Sequence, residues 1–440
     1  MAHRNAAIIR LDRSQLSLRQ MLSLDACTRC GECLPACPVL ATTGSGESTA
    51  LSKIDLWRRA LRRGTDRTPD PSPPPQLPGR ASRQPSGVGG MATTRPGLGL
   101  LRPVPSGRLL SAAYDCTLCG RCEAVCPVYI RTHDLWVAQR RQLAVAGLAP
   151  DAVLQMAERV RQSGNIAGSA AEERLAWLAN AGEGAAPAPA SAHPDVVLFV
   201  GCLSSLYPQA FALPQALLGL LRLLGVNVAI LGESEVCCGF PLYASGLEQE
   251  AFALARRNVE LLKGSGARKV ITSCPSCYHT LNVLYRRWLG AEMDLPVLHS
   301  TQYLDGLAGE LAPRLRPLAE PLAGPITYHD PCDLGRLSGI YEPPRRLLRL
   351  IPGLELVEMA EHHEQALCCG GGGDVEMVNA GLSGAIAGRR LAQGQATGAR
   401  ALATACPQCK RALTSAARSA RIRLRTYDVA ELLLLSAEGK

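Results

Sequence analysis

The sequence holds no uninterrupted apolar run long enough to cross a membrane. Its most apolar stretch, Leu203 to Leu231, is broken by Pro208, Pro214 and Arg222, and reads as a buried helix leading into a strand. Residues Met1 to Ser23 lack the apolar core of a secretory leader. The expectation is a cytoplasmic protein with no direct membrane span, peripheral at the inner face of a membrane only through a partner. A nucleotide fingerprint is also missing. Gly370 to Gly373 is not a GxGxxG after a strand with an acidic residue about twenty residues on. Neither flavin nor NAD is therefore expected in this chain, and two-electron chemistry on a hydroxy acid would need another polypeptide.

Lysine and aromatic residues are absent where the charge concentrates. From Trp57 to Leu110 there are ten Arg, two Asp and no Lys, a balance of +8 out of the net +9. This stretch also carries the prolines of Pro69 to Pro78 and almost no aromatics. Residues 65–108 read as a disordered Arg/Pro/Gly-rich insert, with docking to an acidic partner as the functional alternative. No nucleic-acid partner is expected.

Cysteine is what the chain has in excess: 18 in 440 residues, all in spaced groups. Tight CxxC spacing in a chain this long argues for metal ligation rather than a secreted disulfide scaffold. Cys27, Cys30, Cys33 and Cys37-Pro38 form one C-x2-C-x2-C-x3-C-P run, and Cys116, Cys119, Cys122 and Cys126-Pro127 form another. In two-cluster ferredoxins the fourth cysteine of each run ligates the other cluster. By that rule one cubane [4Fe-4S] cluster takes Cys27, Cys30, Cys33 and Cys126, and the second takes Cys116, Cys119, Cys122 and Cys37. Zinc knuckles pair two CxxC groups and give no reason for the closing Cys-Pro.

The other ten cysteines form a repeat. Cys202, Cys237-Cys238 and Cys274-x-x-Cys277 recur as Cys332, Cys368-Cys369 and Cys406-x-x-Cys409, offset by 130 to 132 residues. A glycine follows each pair (Gly239, Gly370), and a proline sits inside each final CxxC (Pro275, Pro407). Five thiolates suit an iron–sulfur cluster or zinc, although five exceed what tetrahedral zinc needs. Gly370 and Gly371 open a four-glycine run that would let backbone approach a bulky cluster and leave room for a ligand; a flexible loop before a helix is the plainer reading. The first repeat has the bulkier Gly239-Phe240-Pro241 there. His329 precedes Cys332 by three residues. It could give a proton to a departing thiolate near pH 7, or hydrogen-bond a backbone group or a cluster sulfide. His362 and His363 read as a solvated turn.

Both repeats alternate strand and helix. Strands are expected at 196–200, 226–231, 269–272, 326–329, 354–359 and 401–404. Helices are expected at 208–224, 247–263, 343–350 and 374–393, and the tails 297–307 and 424–435 correspond. Right-handed crossovers then give one parallel sheet per repeat, with every cysteine group beyond a strand's carboxyl end. The expected fold class is α+β/α/β. A helix-rich, two-cluster ferredoxin-like domain (1–64 and 109–132) leads into a helical segment and linker (133–194). Two tandem Rossmann-like α/β repeats (195–310 and 324–440) follow.

With two ferredoxin runs and two five-cysteine "CCG" repeats, the chain resembles the iron–sulfur subunits related to the catalytic subunit of heterodisulfide reductase. That superfamily includes the iron–sulfur subunits of glycolate oxidase, anaerobic glycerol-3-phosphate dehydrogenase and lactate-utilisation enzymes. The His329-Asp330-Pro331-Cys332 run resembles the heterodisulfide-reductase-like branch in particular. The resemblance implies one noncubane [4Fe-4S] cluster per complete repeat, the two facing one another and each taking one sulfur of a disulfide. It also implies a partner, either a flavoprotein or a membrane cytochrome or quinone-linked redox subunit. The expected function is an iron–sulfur oxidoreductase subunit passing electrons to disulfide/thiol chemistry. The alternatives are the electron-transfer subunit of a flavin-dependent glycolate- or lactate-type dehydrogenase, and a zinc-stabilised scaffold without redox activity.

Overall fold

A computed structural model describes residues 11–62, 106–179 and 193–440. Most of the expected insert, residues 65–105, lies outside the described residues, as do residues 1–10 of the expected ferredoxin-like domain and most of the expected linker. Residues 106–108, also assigned to the insert, instead open the helix Ser106–Tyr114. The cause is packing: Leu109, Ala112 and Ala113 of that helix are fully buried, and it lies against the helix Ala50–Arg62.

The first helical layer is organised around Trp57, which is completely buried. Its Nε1 donates to Gln142 Oε1 at 2.7 Å, and Gln142 Nε2 donates to the Asp12 carbonyl at 2.6 Å. Gln142 lies on the helix Thr132–Val145. The long helical segment expected from 133 to 180 is therefore several pieces. Thr132–Val145 and Asp151–Ser163 are separated at Pro150, and Gly164 (φ +71°) ends the second.

The first repeat contains strands β1 (Val196–Leu198), β2 (Val228–Ile230), β3 (Val270–Thr272) and β4 (Val297–His299). The second contains β5 (Pro325–His329), β6 (Glu355–Val357), β7 (Ala401–Thr404) and β8 (Arg425–Asp428). Their orders are β2-β1-β3-β4 and β6-β5-β7-β8, parallel throughout. The central strands β1, β3 and β7 are wholly buried, which accounts for their apolar sequence up to the threonines, Thr272 and Thr404, that end β3 and β7. The helix expected over 374–393 is broken. Asn379 leaves helical geometry (φ −147°, ψ 76°), and its side chain accepts from Leu382 N, capping a second helix, Ala380–Ala396.

The two repeats embrace reciprocally. The first crossover helix of repeat one, Ala212–Leu223, packs on the last helix of repeat two, Val429–Glu438. Conversely, the helix Ser300–Asp305 of repeat one packs on Glu342–Arg349 of repeat two, where Arg346 pairs with Asp305. This near-twofold exchange brings the cysteine-bearing loops of the two sheets to one shared cavity.

Candidate metal and thiol site

In the first repeat all five cysteines follow strand ends and are buried. Gly201, at φ +79°, turns the chain after β1; a Cβ there would lie 3.1 Å from Cys277 Sγ. The thiols of Cys202 and Cys237 act on one another, as do Cys238 with Cys277 and Cys274 with Cys277. Cys237 and Cys277 lower Cys238 to about 6. Arg174 reaches Cys202 Sγ through Nη2 at 3.4 Å and pairs with buried Glu235 at 3.1 Å. Glu235 accepts from the backbone N–H groups of Val200 and Gly201, both at 2.8 Å. The carboxylate thus fixes the loop that carries Cys202. Tyr285 Oη donates to the Cys238 carbonyl at 2.8 Å, and Asn258 Nδ2 to the Cys237 carbonyl at 3.0 Å.

The second repeat is built alike. Cys368 and Cys409 beside Cys369 lower it to about 5. The second member of each cysteine pair is thus biased toward thiolate, as is Cys274 in the first repeat. Asp330 replaces the Glu235 arrangement, with Arg345 gripping both carboxylate oxygens at 2.6 and 2.8 Å. His363 N also donates to Asp330 Oδ2, at 2.8 Å. His363, expected in a solvated turn, thus fastens the loop before Cys332 through its backbone, while His362 stays exposed.

His329 is buried, and a ring nitrogen comes within 4.8 Å of the thiols of Cys369 and Cys409. Nδ1 accepts from Arg390 Nε at 2.9 Å, which assigns the proton to Nε2; Nε2 has no protein partner. Burial and the neighbouring Arg390 guanidinium hold the ring well below its ordinary pKa. Of the two roles expected for His329, this geometry suits a neutral N–H donor rather than a proton source near pH 7.

The glycine run is tighter than an open ligand loop. A Cβ on Gly372 would lie 2.6 Å from the Thr117 carbonyl, and one on Gly373 2.6 Å from the Cys116 carbonyl. Gly370 (φ +85°) and Gly239 (φ +91°) instead let the chain turn against the helix that follows each pair, and Gly371 abuts Gln408. Gly371, Gly372 and Gly373 still line the cavity on their free side.

Among the ferredoxin-type cysteines, Cys37, Cys116, Cys119 and Cys122 influence one another electrostatically, and Cys27, Cys30 and Cys33 form a second set. Cys122 is pushed up to about 12, chiefly by burial, and meets Thr132 Oγ1 at 3.1 Å. Buried Lys53 stands over the Trp136 ring at 4.0 Å and acts on Cys37 and Cys122. Cys30 is exposed. Cys119 acts on Cys368 of the second repeat, within an apolar cluster with Cys37, Val39 and Ile386. Fully buried Arg140 ties the three regions together, donating to the carbonyls of Ala113 (3.0 Å), Cys116 (2.6 Å), Ala244 (2.8 Å) and Gly373 (2.9 Å). Lys53, Arg140, Arg174 and Arg336 carried no signal in the sequence, because each acts across elements distant in the chain.

The cavity between the repeats has a volume of about 380 Å³. All five cysteines of repeat one line it, with Cys332, Cys369, Cys406 and Cys409 of repeat two. Two clustered sets of soft thiols, all buried but the half-buried Cys332, with the His329 ring beside one of them and its Nε2 orphaned, form a donor chemistry that fits iron–sulfur clusters.

Residues 196–282 and 326–414 match the cysteine-rich domain family, and residues 23–130 match the 4Fe-4S dicluster domain family. The chain is 32% identical over 438 residues to one subunit of the dihydromethanophenazine:CoB--CoM heterodisulfide reductase of Methanosarcina barkeri, covering 98% of each protein. It is 30% identical over 441 residues to the probable iron-sulfur-binding oxidoreductase FadF of Bacillus subtilis, covering 96% of this chain and 61% of that one. It is 28% identical over 439 residues to the EtfAB:quinone oxidoreductase of Syntrophomonas wolfei, covering 96% and 59%.

Proposed function

Because the chain belongs to the family of that heterodisulfide reductase polypeptide and is an iron–sulfur electron-transfer subunit of an oxidoreductase, we propose that it interconverts a disulfide and two thiols in the cavity between its repeats. In the reducing direction, two electrons and two protons break one S–S bond and yield two thiols. The observation that carries this reading is the single cavity faced by cysteines of both repeats. The proposed holders are Cys27, Cys30, Cys33 and Cys126 for one cubane cluster, and Cys37, Cys116, Cys119 and Cys122 for the other. Each five-cysteine repeat would hold a further cluster. Such clusters, when bound, supply one-electron redox chemistry and sulfur-binding iron.

The chain's own residues do the rest. Met156, Ile166, Phe240 and Met377 give the cavity an apolar lining that excludes water from the reacting sulfurs. His329 Nε2–H is placed to hydrogen-bond sulfur at the second repeat, and Arg174 does so at Cys202. Asp374 lines the cavity and accepts from Ser245 Oγ at 2.8 Å; burial pushes its carboxyl up to about 6, so it can hold the proton a released thiolate needs.

The electron partner is proposed to dock on the ferredoxin-type domain, where Cys30 is exposed and where Leu22, on the preceding helix, and Tyr129, after Cys126, are large exposed apolar side chains. Among the described residues no helix is long and apolar enough to cross a membrane. A second reading, favoured by the similarity to the quinone oxidoreductase, is a pure relay in which a flavoprotein does the chemistry.

Iron, sulfide and zinc content of anaerobically purified protein, with EPR after oxidation in the presence of a thiol, separates these readings. The disulfide reading expects about sixteen irons per chain, four per cluster, and a new signal on adding thiol. About eight irons and no thiol-dependent signal leave the relay alone, and zinc in the repeats would indicate a scaffold.

A further inference from the structure

The cavity has one polar feature that the cysteine chemistry leaves unused. Arg159, on the helix Asp151–Ser163, lines it. Its Nε donates to the Ile166 carbonyl at 2.9 Å, and its stem lies against Gly168, where a Cβ would come within 2.9 Å of Arg159 Cδ. The guanidinium is therefore held at its base by backbone on the next loop. Its two terminal nitrogens have no hydrogen-bond or ion-pair partner among the described residues. The other guanidinium lining the cavity, Arg411, is already engaged. Its Nη2 pairs with Glu376, and it donates to Gln408 Oε1 from Nε at 3.3 Å and from Nη2 at 3.1 Å.

Of the cavity lining, Met156 lies one turn earlier on the helix of Arg159, and Ile166 supplies the carbonyl that holds its Nε. Tyr207 is half-buried and lies within electrostatic range of Cys202, Arg159, Arg411 and Glu376, whose carboxylate Arg411 already takes. An arginine fork anchored through Nε, with both terminal N–H groups free beside apolar surface, is suited to bidentate recognition of a small oxyanion.

We propose that Arg159 binds a carboxylate carried on one arm of the thiol or disulfide substrate, and so sets which thiols enter this cavity. The proposal rests on the reading of the cavity as the disulfide site. It assigns Arg159 no part in the redox step, because its effect is on which arm binds and how tightly.

The test uses oxidised holoprotein and two thiols of matched size, 3-mercaptopropionate and its neutral amide, 3-mercaptopropanamide. The half-saturating concentration of each is read from the thiol-dependent EPR signal. In the wild type the carboxylate should bind about tenfold tighter than the amide, the factor that one added charge-assisted contact supplies. Arg159→Gln should abolish that preference while leaving amide binding and iron content unchanged, and Arg159→Lys should keep part of it. Equal affinities in the wild type, or a preference retained in Arg159→Gln, would overturn the assignment to Arg159 while the cavity reading stands. If neither thiol changes the wild-type spectrum, the cavity is not a thiol site and both readings fall.

Discussion

Cys119 and Cys368 are buried in one cluster and act on each other's thiol, joining the second ferredoxin-type run to the cysteine pair of the second repeat. Arg336 clamps this junction. Its Nε donates to the Cys119 carbonyl at 2.6 Å, and its Nη1 to the carbonyls of Glu364 and Ala366, both at 2.9 Å. Its charge acts on Cys119, Cys332 and Cys368 together. A cation beside anionic centres favours their reduced, more negative state. Arg336→Gln is expected to lower the reduction potential of the centres at Cys119 and Cys368, by about 60 mV for each 1.4 kcal/mol of lost attraction. The centre at Cys27, Cys30 and Cys33 should not move. EPR-monitored redox titration reads both effects, and an unchanged potential at the junction would contradict the placement of this charge.

The glycine run predicts a contrast between two alanine substitutions. Gly373 combines φ +57° with a Cβ position 2.6 Å from the Cys116 carbonyl, so Gly373→Ala should destabilise by about 1–3 kcal/mol and perturb the neighbouring ferredoxin-type centre. Gly384, inside the helix Ala380–Ala396 with nothing within 4 Å of its Cβ position, should gain up to about 1 kcal/mol as alanine. Thermal loss of cluster absorbance compares the two.

Asp428 gives a pH signature. Its Oδ1 caps the final helix by accepting from Ala430 N at 2.9 Å, whereas Oδ2 is buried without a partner. Burial, with nearby Glu431, pushes the carboxyl up to about 8. The folded protein therefore keeps a proton that the unfolded chain releases near pH 4. The stability this carboxyl contributes is full below pH 4 and is lost as pH rises toward 8, at up to about 1.4 kcal/mol per pH unit. Asp428→Asn keeps the cap acceptor and removes the titration. Its advantage in melting temperature over the wild type should grow between pH 5 and pH 8; a constant difference would contradict the buried, protonated carboxyl.

Asp374 predicts a second pH effect, on turnover instead of stability. If it supplies the proton for a released thiolate, disulfide reduction should fall as pH rises through about 6, where Asp374 loses its proton. Asp374→Asn should remove that inflection and slow turnover by about 100-fold, at the low end for general acid catalysis, with iron content unchanged. An inflection that persists in the variant would assign the proton to another group.

Much of the architecture could be read from the chain because its signals are local or periodic. The five-cysteine register and the buried apolar runs at Val196–Leu198 and Ala401–Thr404 marked both repeats and their sheets. Other features depend on partners far apart in sequence. The Arg174–Glu235 pair, the four carbonyls gathered by Arg140 and the Cys119–Cys368 contact exist only after the helical domain docks on the repeats, and the Arg345–Asp330 pair only once the second repeat has folded. The glycine run looked like room for a ligand, since a sequence shows the missing side chains but not the Thr117 and Cys116 carbonyls that occupy much of that room. His329 carried two readings, proton source or hydrogen-bonding residue, and nothing nearby in sequence points to Arg390, the contact that separates them.

The central claim is that both repeats act on one disulfide in the cavity they share. Its most direct test is anaerobic, dithionite-driven reduction of a carboxylate-bearing disulfide, 3,3′-dithiodipropionate, with thiols counted, in wild type and in Cys369→Ser. The account predicts two thiols formed per two electrons consumed in the wild type. In Cys369→Ser thiol production should be lost while the two ferredoxin-type signals persist. Undiminished thiol production by Cys369→Ser, or none from a wild type carrying its full iron, would contradict it.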